Sequence, residues 1–234
     1  MDKLEIANTV KTVLANNPYG VINFKDREVI VLPTVCSVDC STPFLAEQMS
    51  EVAGRIATKI GGCKALEMGA GSGAAILTVA QVPGVAATAT DINPMSAICV
   101  QANALWWQVP CKAYHGNLFE AIPDGERFDL IFWNTPFIST DPGGVEDAQF
   151  RAEFDIDYAF QREFLDRVRD FLTEDGEIYL CVDAEMSDME VLNRLYEENG
   201  FDVEIWSKNQ EDCYGLVLNF LILKLQPQTK SIKS

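Results

Sequence analysis

The sequence predicts an α/β fold: a doubly wound, seven-stranded, mostly parallel sheet with one antiparallel strand near the C-terminus. Three observations predict it. From about residue 61, strand-like and helical runs alternate over short connections; the first of these strands enters a glycine-rich turn that opens a helix; and the last two strands follow one another with no helix between them. A strand that follows a strand directly returns antiparallel. At 234 residues, with 48% hydrophobic and 23% charged residues, the chain has ordinary globular usage and fits one domain with an appendage. A disordered chain, a collagen or a disulfide mini-protein is excluded on the same grounds.

The elements follow in order. Leu4, Ile6, Val10, Val13 and Leu14 trace a helix that ends at Asn16-Asn17-Pro18-Tyr19-Gly20. A short strand over Glu28–Leu32 leads into a polar loop with Pro33, Ser37, Asp39 and Ser41. Thr42-Pro43 is an N-cap with proline at the first helical position, and the helix it opens stops at Gly61-Gly62. The sheet strands are expected at 64–68, 85–90, 113–115, 128–133, 177–182, 202–206 and 215–225, with helices at 74–82, 94–104, 155–172 and 186–198 between them. Leu130-Ile131-Phe132 is a continuous apolar run, as a strand covered on both faces requires. Asn199-Gly200 closes the last helix in the left-handed manner. The expected division is a lead-in and substrate lid over 1–60, a core over 61–225 and a polar tail over 226–234.

The charge balance narrows the partners. There are 18 Lys and Arg against 35 Asp and Glu, a net charge of −17, and the basic residues are scattered, which argues against nucleic acid as partner. Seven cysteines, an odd number in a chain without a signal peptide, read as reduced thiols of a cytoplasmic protein. Cys36 and Cys40 lack the further ligands of a zinc site and His115 is the sole histidine, so no metal is expected. No apolar run reaches the ~18 residues that span a bilayer.

The chemistry-bearing signal is Glu67-Met68-Gly69-Ala70-Gly71-Ser72-Gly73, between a strand and a helix. Its glycines permit a sharp turn and close ligand approach, and the helix start offers free N–H groups. Asp91 ends the next strand, where a carboxylate can accept both hydroxyls of a ribose. The spacing of Gly69, Gly71 and Gly73 departs from the dinucleotide pattern, and the acidic Glu67 suits a ligand bearing positive charge. After the fourth strand comes Asn134-Thr135-Pro136-Phe137.

These motifs resemble those of the class I S-adenosylmethionine-dependent methyltransferases, with their Rossmann-like sheet. The resemblance implies that Gly69, Ala70, Gly71 and Gly73 hold the methionine part of S-adenosyl-L-methionine, with Glu67 near its amino group. Asp91 would take the ribose hydroxyls, Ile92 would pack on the adenine, and Asn117, followed by Leu118, would stand where the family usually has an aspartate that accepts from the adenine amino group; an amide oxygen can accept the same bond. Asn-Thr-Pro-Phe resembles the Asn-Pro-Pro-Tyr/Phe motif of enzymes that methylate planar or amide nitrogens, the glutamine methyltransferases among them, with Thr135 in place of the first proline. It implies that Asn134 and the backbone at Pro136 orient the acceptor nitrogen while Phe137 stacks on it. Val31-Leu32-Pro33 with Asp39 and Ser41 resembles the segment that precedes the cofactor loop in the glutamine group.

The expected activity is therefore N-methylation of a small molecule or of a protein or peptide side chain. Two readings compete with it: a nicotinamide-dependent dehydrogenase, which the glycine turn alone would permit, and a non-catalytic cofactor-binding subunit, suggested by the altered Thr135. The acidic group Asp141, Glu146, Asp147, Glu153, Asp155 and Asp157 is either a solvated loop or a site for a cationic substrate. His115 is expected to be a wall residue of the cofactor segment, and the acceptor's identity and the oligomeric state are not encoded in any motif.

Overall fold

The computed structural model describes residues 3–15, 19–141, 143, 150–213 and 216–228. The lead-in consists of α1 (Lys3–Ala15), β1 (Gly20–Phe24), β2 (Arg27–Val31) and α2 (Thr42–Ile60). The alternating part is β3 (Cys63–Met68), α3 (Ala74–Val79), β4 (Val85–Asp91), α4 (Pro94–Trp107), β5 (Cys111–His115), β6 (Phe128–Asn134), α5 (Ala159–Arg167), β7 (Leu172–Asp183), α6 (Met189–Glu198), β8 (Phe201–Cys213) and β9 (Leu216–Pro227).

The seven-stranded sheet has the order β5-β4-β3-β6-β7-β9-β8, and β9 runs antiparallel to both of its neighbours. The antiparallel strand is thus inserted between β7 and β8. The side chains of the central strands alternate between two apolar cores. Ala65, Leu130, Phe132, Tyr179 and Cys181 join Leu45, Met49, Ile76 and Val100 of α2, α3 and α4 on one face. Leu66, Met68, Ile131, Trp133, Ile178 and Leu180 join Phe164 of α5 and Leu192, Leu195 and Tyr196 of α6 on the other. Both faces are covered, which is why these strands carry little polar alternation.

Several expectations are adjusted. The lead-in strand has a partner, β1, that the sequence conceals because the turn residues are Lys25-Asp26, with Lys25 at φ 54°, and not a glycine pair. This hairpin packs on α4, where the buried Trp107 donates Nε1–H to Glu28 O at 2.7 Å and stacks on Phe24. The helix expected over 155–172 is reduced to α5 flanked by 3-10 turns at Ile156–Tyr158 and Val168–Phe171, because Asp157 and Tyr158 take φ of 55° and 56°. β7 begins at Leu172, well before the expected 177, through a register shift against β6. β9 extends to Pro227, past the expected end of the core, and residues 229–234 of the tail lie outside the described residues.

The expectation of seven free thiols is corrected. Cys40, on the loop before α2, is disulfide-bonded to Cys213 at the end of β8, with Cα atoms 6.2 Å apart, while Cys36, Cys63, Cys99, Cys111 and Cys181 are free. The topology brings the two together across 173 residues of sequence, which spacing alone could not reveal. Among the described residues no helix is long and apolar enough to cross a membrane.

Candidate active site

The chain leaves β3 toward β4 on one side and returns through β6 on the other, so the carboxyl ends of β3 and β6 flank the crevice where the strand order reverses. A cavity opens there, walled by the glycine turn after β3, the ends of β4 and β6, and the loop carrying Thr34, Cys36 and Asp39.

On the β3 side, Glu67 is buried and its Oε2 accepts the N–H of Ile76 at the start of α3, at 2.9 Å. Burial pushes its carboxyl well above the ordinary range; the Ile76 N–H opposes this, and the charges of Asp91 and Asp39 add to it. Gly69 takes φ 60°, and a Cβ there would stand 2.9 Å from Trp133 Nε1, so only glycine gives this turn. Asp91 accepts from Gly71 N through Oδ2 and from Asn93 N through Oδ1, each at 2.8 Å. Burial raises its pKa, with the Asn93 and Gly71 amides opposing. Ala70, Ile92 and Leu118 line the same space. So does Asn117, whose Nδ2 donates to both oxygens of Glu163 at 3.0 and 3.1 Å, leaving Oδ1 as an acceptor.

Gly73, expected to touch the cofactor, is not a lining residue. It takes φ 83° with its Cα against Val100, where a Cβ would stand 2.9 Å from Cγ2; its role is to bring α3 onto α4. His115 is exposed and also lies off the cavity.

On the β6 side, Asn134 Nδ2 donates to Asp39 Oδ2 at 3.0 Å and to Ser41 Oγ at 2.9 Å. Ser41 Oγ also lies 3.1 Å from Asn134 Oδ1, but its single proton is drawn to the stronger acceptor, the Asp39 carboxylate at 2.8 Å. Thr42 N donates to the same carboxylate at 2.8 Å. The lead-in loop therefore fixes the amide of Asn134. Thr135 is buried, and its N–H and Oγ1–H both reach Cys181 O, at 3.1 and 2.8 Å, so the residue that replaces proline anchors the turn to β7 by hydrogen bonds. Pro136 lines the cavity.

Phe137 requires a correction. Its ring is 4% exposed and packs on Phe220 at 6.0 Å in the core, away from the cavity. The aromatic residues that do line the cavity are Trp133 and Phe160, the latter carrying the Arg151 guanidinium 5.8 Å from its ring centre. Trp133 directly precedes the motif but reads as part of the buried strand, and Phe160 lies 23 residues past Phe137, so the sequence singles out neither.

The acidic group divides. Asp155 is buried as the cap of α5, accepting from Phe160 N at 2.8 Å and Gln161 N at 3.0 Å, and burial lifts its pKa to about 6. Asp141 accepts from Gly143 N, Asp157 is exposed, and Glu146 and Asp147 lie outside the described residues. Glu153 alone lines the cavity.

Residues 32–204 match the family model of the methyltransferase small domain, and the chain belongs to that family. Its cofactor is S-adenosylmethionine. The chain is 32% identical over 120 residues to the release factor glutamine methyltransferase of Koribacter versatilis, covering 51% of this chain and 41% of that protein. It is 27% identical over 203 residues to the bifunctional methyltransferase of Rickettsia felis, covering 82% and 36%. It thus spans less than half the length of either relative. A T. thermophilus 16S rRNA methyltransferase solved with AdoMet and guanosine shares the fold at 19% identity and a TM-score of 0.60, over 90% of this chain and 50% of that one. The residues fit the cofactor: a turn at Gly69 that a side chain would fill, and two carboxylates at strand ends held by backbone amides.

Proposed function

We propose that the protein is an N-methyltransferase that acts on an amide or amine nitrogen of a protein or peptide side chain or of a small molecule. The observation that carries this reading is Asn134, fixed by Asp39 and Ser41 in the same cavity as the glycine turn and Asp91. The glutamine methyltransferase of K. versatilis supports it, and the net charge of −17 speaks against nucleic acid.

When bound, S-adenosylmethionine supplies an activated methyl on a sulfonium, so the protein's task is binding and orientation. In this reading Gly69, Ala70 and Gly71 cradle the methionine part and Glu67 faces its amino group. Asp91 accepts from the ribose hydroxyls, Ile92 and Leu118 hold the adenine, and Asn117 Oδ1 accepts from its amino group. Asn134 has its Nδ2 engaged by Asp39 and Ser41, which leaves Oδ1, with the backbone carbonyl beside Pro136, to accept N–H bonds from the acceptor and turn its lone pair toward the methyl. The stacking role assigned to Phe137 passes to Phe160, which lines the cavity. Residues 1–60 act as the substrate cover, through the loop that carries Asp39, and residues 61–225 as the cofactor-binding core.

The test is methyl transfer from labelled S-adenosylmethionine to glutamine-containing peptides and to primary amines. Product methylated at nitrogen, lost in Asn134→Ala, is the expected result. Cofactor binding without transfer to any nitrogen, in wild type and variant alike, would make the protein a non-catalytic cofactor-binding subunit.

A further inference from the structure

Glu153 is the one member of the acidic group, among the described residues, that the fold delivers into the cavity, and its delivery is structural. Its backbone O accepts the N–H of Ile138 at 2.9 Å, and Ile138 O accepts the N–H of Asp155 at 2.9 Å, forming a parallel bridge between Ile138 and Phe154. Ile138 is four residues past Asn134, so the bridge ties the position of Glu153 to that of the Asn134 turn. Phe150 and Phe154 on either side are buried in the core. The bridge fixes the backbone on both sides of Glu153, and the residue lines the cavity.

No hydrogen-bond donor among the described residues reaches that carboxyl, in contrast with Glu67 and Asp91. The charged and titratable groups around it are Asp39 and the Cys36 thiol on the lead-in loop, Asp183 at the end of β7, and Arg151 on its own turn, whose guanidinium lies by Phe160. Burial, then the negative charges of Asp39 and Asp183, push its pKa up to about 8. A partly buried carboxyl with no internal donor is a costly arrangement unless something from outside supplies the donor.

We propose that Glu153 faces the acceptor at the point of transfer: its carboxylate accepts an N–H of the acceptor nitrogen and receives the proton that nitrogen gives up. The inference rests on the N-methyltransferase reading. The balance is simple: the nitrogen lone pair forms the new N–C bond, the C–S electrons return to sulfur, and the N–H proton moves to Glu153. Asn134 and Glu153 then divide the work, the first aiming the lone pair and the second taking the proton. The acceptor class follows as a nitrogen with two N–H groups, a primary amide or a primary amine, one N–H shared by Asn134 Oδ1 and the carbonyl beside Pro136 and the other taken by Glu153.

Two cofactor analogues test this without knowledge of the acceptor. S-adenosylhomocysteine lacks the methyl, whereas sinefungin places an ammonium where the methyl would be. Calorimetry on the full chain at pH 9 should show Glu153→Gln binding S-adenosylhomocysteine as wild type does but losing about tenfold in affinity for sinefungin, the worth of one charge-assisted hydrogen bond. The sinefungin preference of wild type should also fade as pH falls and Glu153 is protonated, while Glu153→Gln shows no such change. Equal losses for both analogues would make Glu153 a structural part of the cofactor pocket, and unchanged affinities would place it away from the methyl; either result overturns the proposal. Retained S-adenosylhomocysteine binding reports an intact fold. Failure of wild type to bind either analogue would remove the underlying reading and this inference with it, whereas the expected pattern without nitrogen methylation would overturn the choice of acceptor and the proton transfer.

Discussion

The two sides of the cavity bury carboxyl groups in different ways. On the β3 side, Glu67 and Asp91 are aimed at backbone amides, of Ile76, Gly71 and Asn93, all within 2.8–2.9 Å. On the β6 side, Asp39 is engaged by Asn134, Ser41 and Thr42, whereas Glu153 meets no donor of the described chain. Backbone amides at the start of a helix are built by the fold itself and hold a fixed ligand in a fixed place. Side chains borrowed from a distant loop hold a geometry that depends on the loop. In the proposed reading, the first side would hold a constant cofactor and the second the acceptor.

Breaking the Asn134 anchor gives the largest expected effect. Asn134→Ala should lower turnover by about a hundredfold or more while S-adenosylhomocysteine affinity stays within about threefold in calorimetry, since the loss falls on orientation. Asp91→Ala strikes the other side: it frees the amides of Gly71 and Asn93 and removes the proposed ribose acceptor, and should weaken S-adenosylhomocysteine about tenfold to a hundredfold. If the two variants had the same profile, the division into sides would fail. Gly73→Ala probes the scaffold beneath the cofactor side. With φ 83° and Val100 Cγ2 2.9 Å from the new Cβ, it should cost about 2 kcal/mol in chemical denaturation.

The smallest effect sharpens the contrast through pH. The folded pKa of Glu153, about 8, lies above the ordinary glutamate value of 4.5, so between those limits the folded protein holds a proton that the unfolded chain has released. Its contribution therefore lowers stability as pH rises from about 4.5 to 8. Glu153→Gln should melt a few degrees above wild type at pH 9, with the difference closing near pH 4.5. A constant difference across that range would contradict the raised pKa.

Much of this was legible in the sequence, where the signal is local. The alternation of strands and helices and the placement of Glu67, Asp91, Asn117 and Asn134 follow from apolar runs and from motifs that each sit on one turn. What was hidden depends on contacts between distant segments. Nothing near Asn134 indicates that Asp39 and Ser41, more than ninety positions earlier, orient its amide. Phe137 reads as a stacking ring because it closes the Asn-Thr-Pro-Phe motif, yet Phe220 of β9 packs on it in the core. Glu153 and Asp155, two residues apart in an acidic stretch, separate into a cavity residue and a helix cap only once the bridge to Ile138 sets their directions.

The insertion of β9 between β7 and β8 bears on the order of synthesis. A ribosome delivers β8 before the strand that seats it, so β8 has no place beside β7 until β9 has emerged to pair with both. A stop codon within β9 would therefore cost the sheet two strands, and with them Cys213, the anchor point of Cys40 beside Asp39. A nascent chain halted there should be read by chaperones and proteases as unfinished at both ends, although the strand that failed to form is β9 alone.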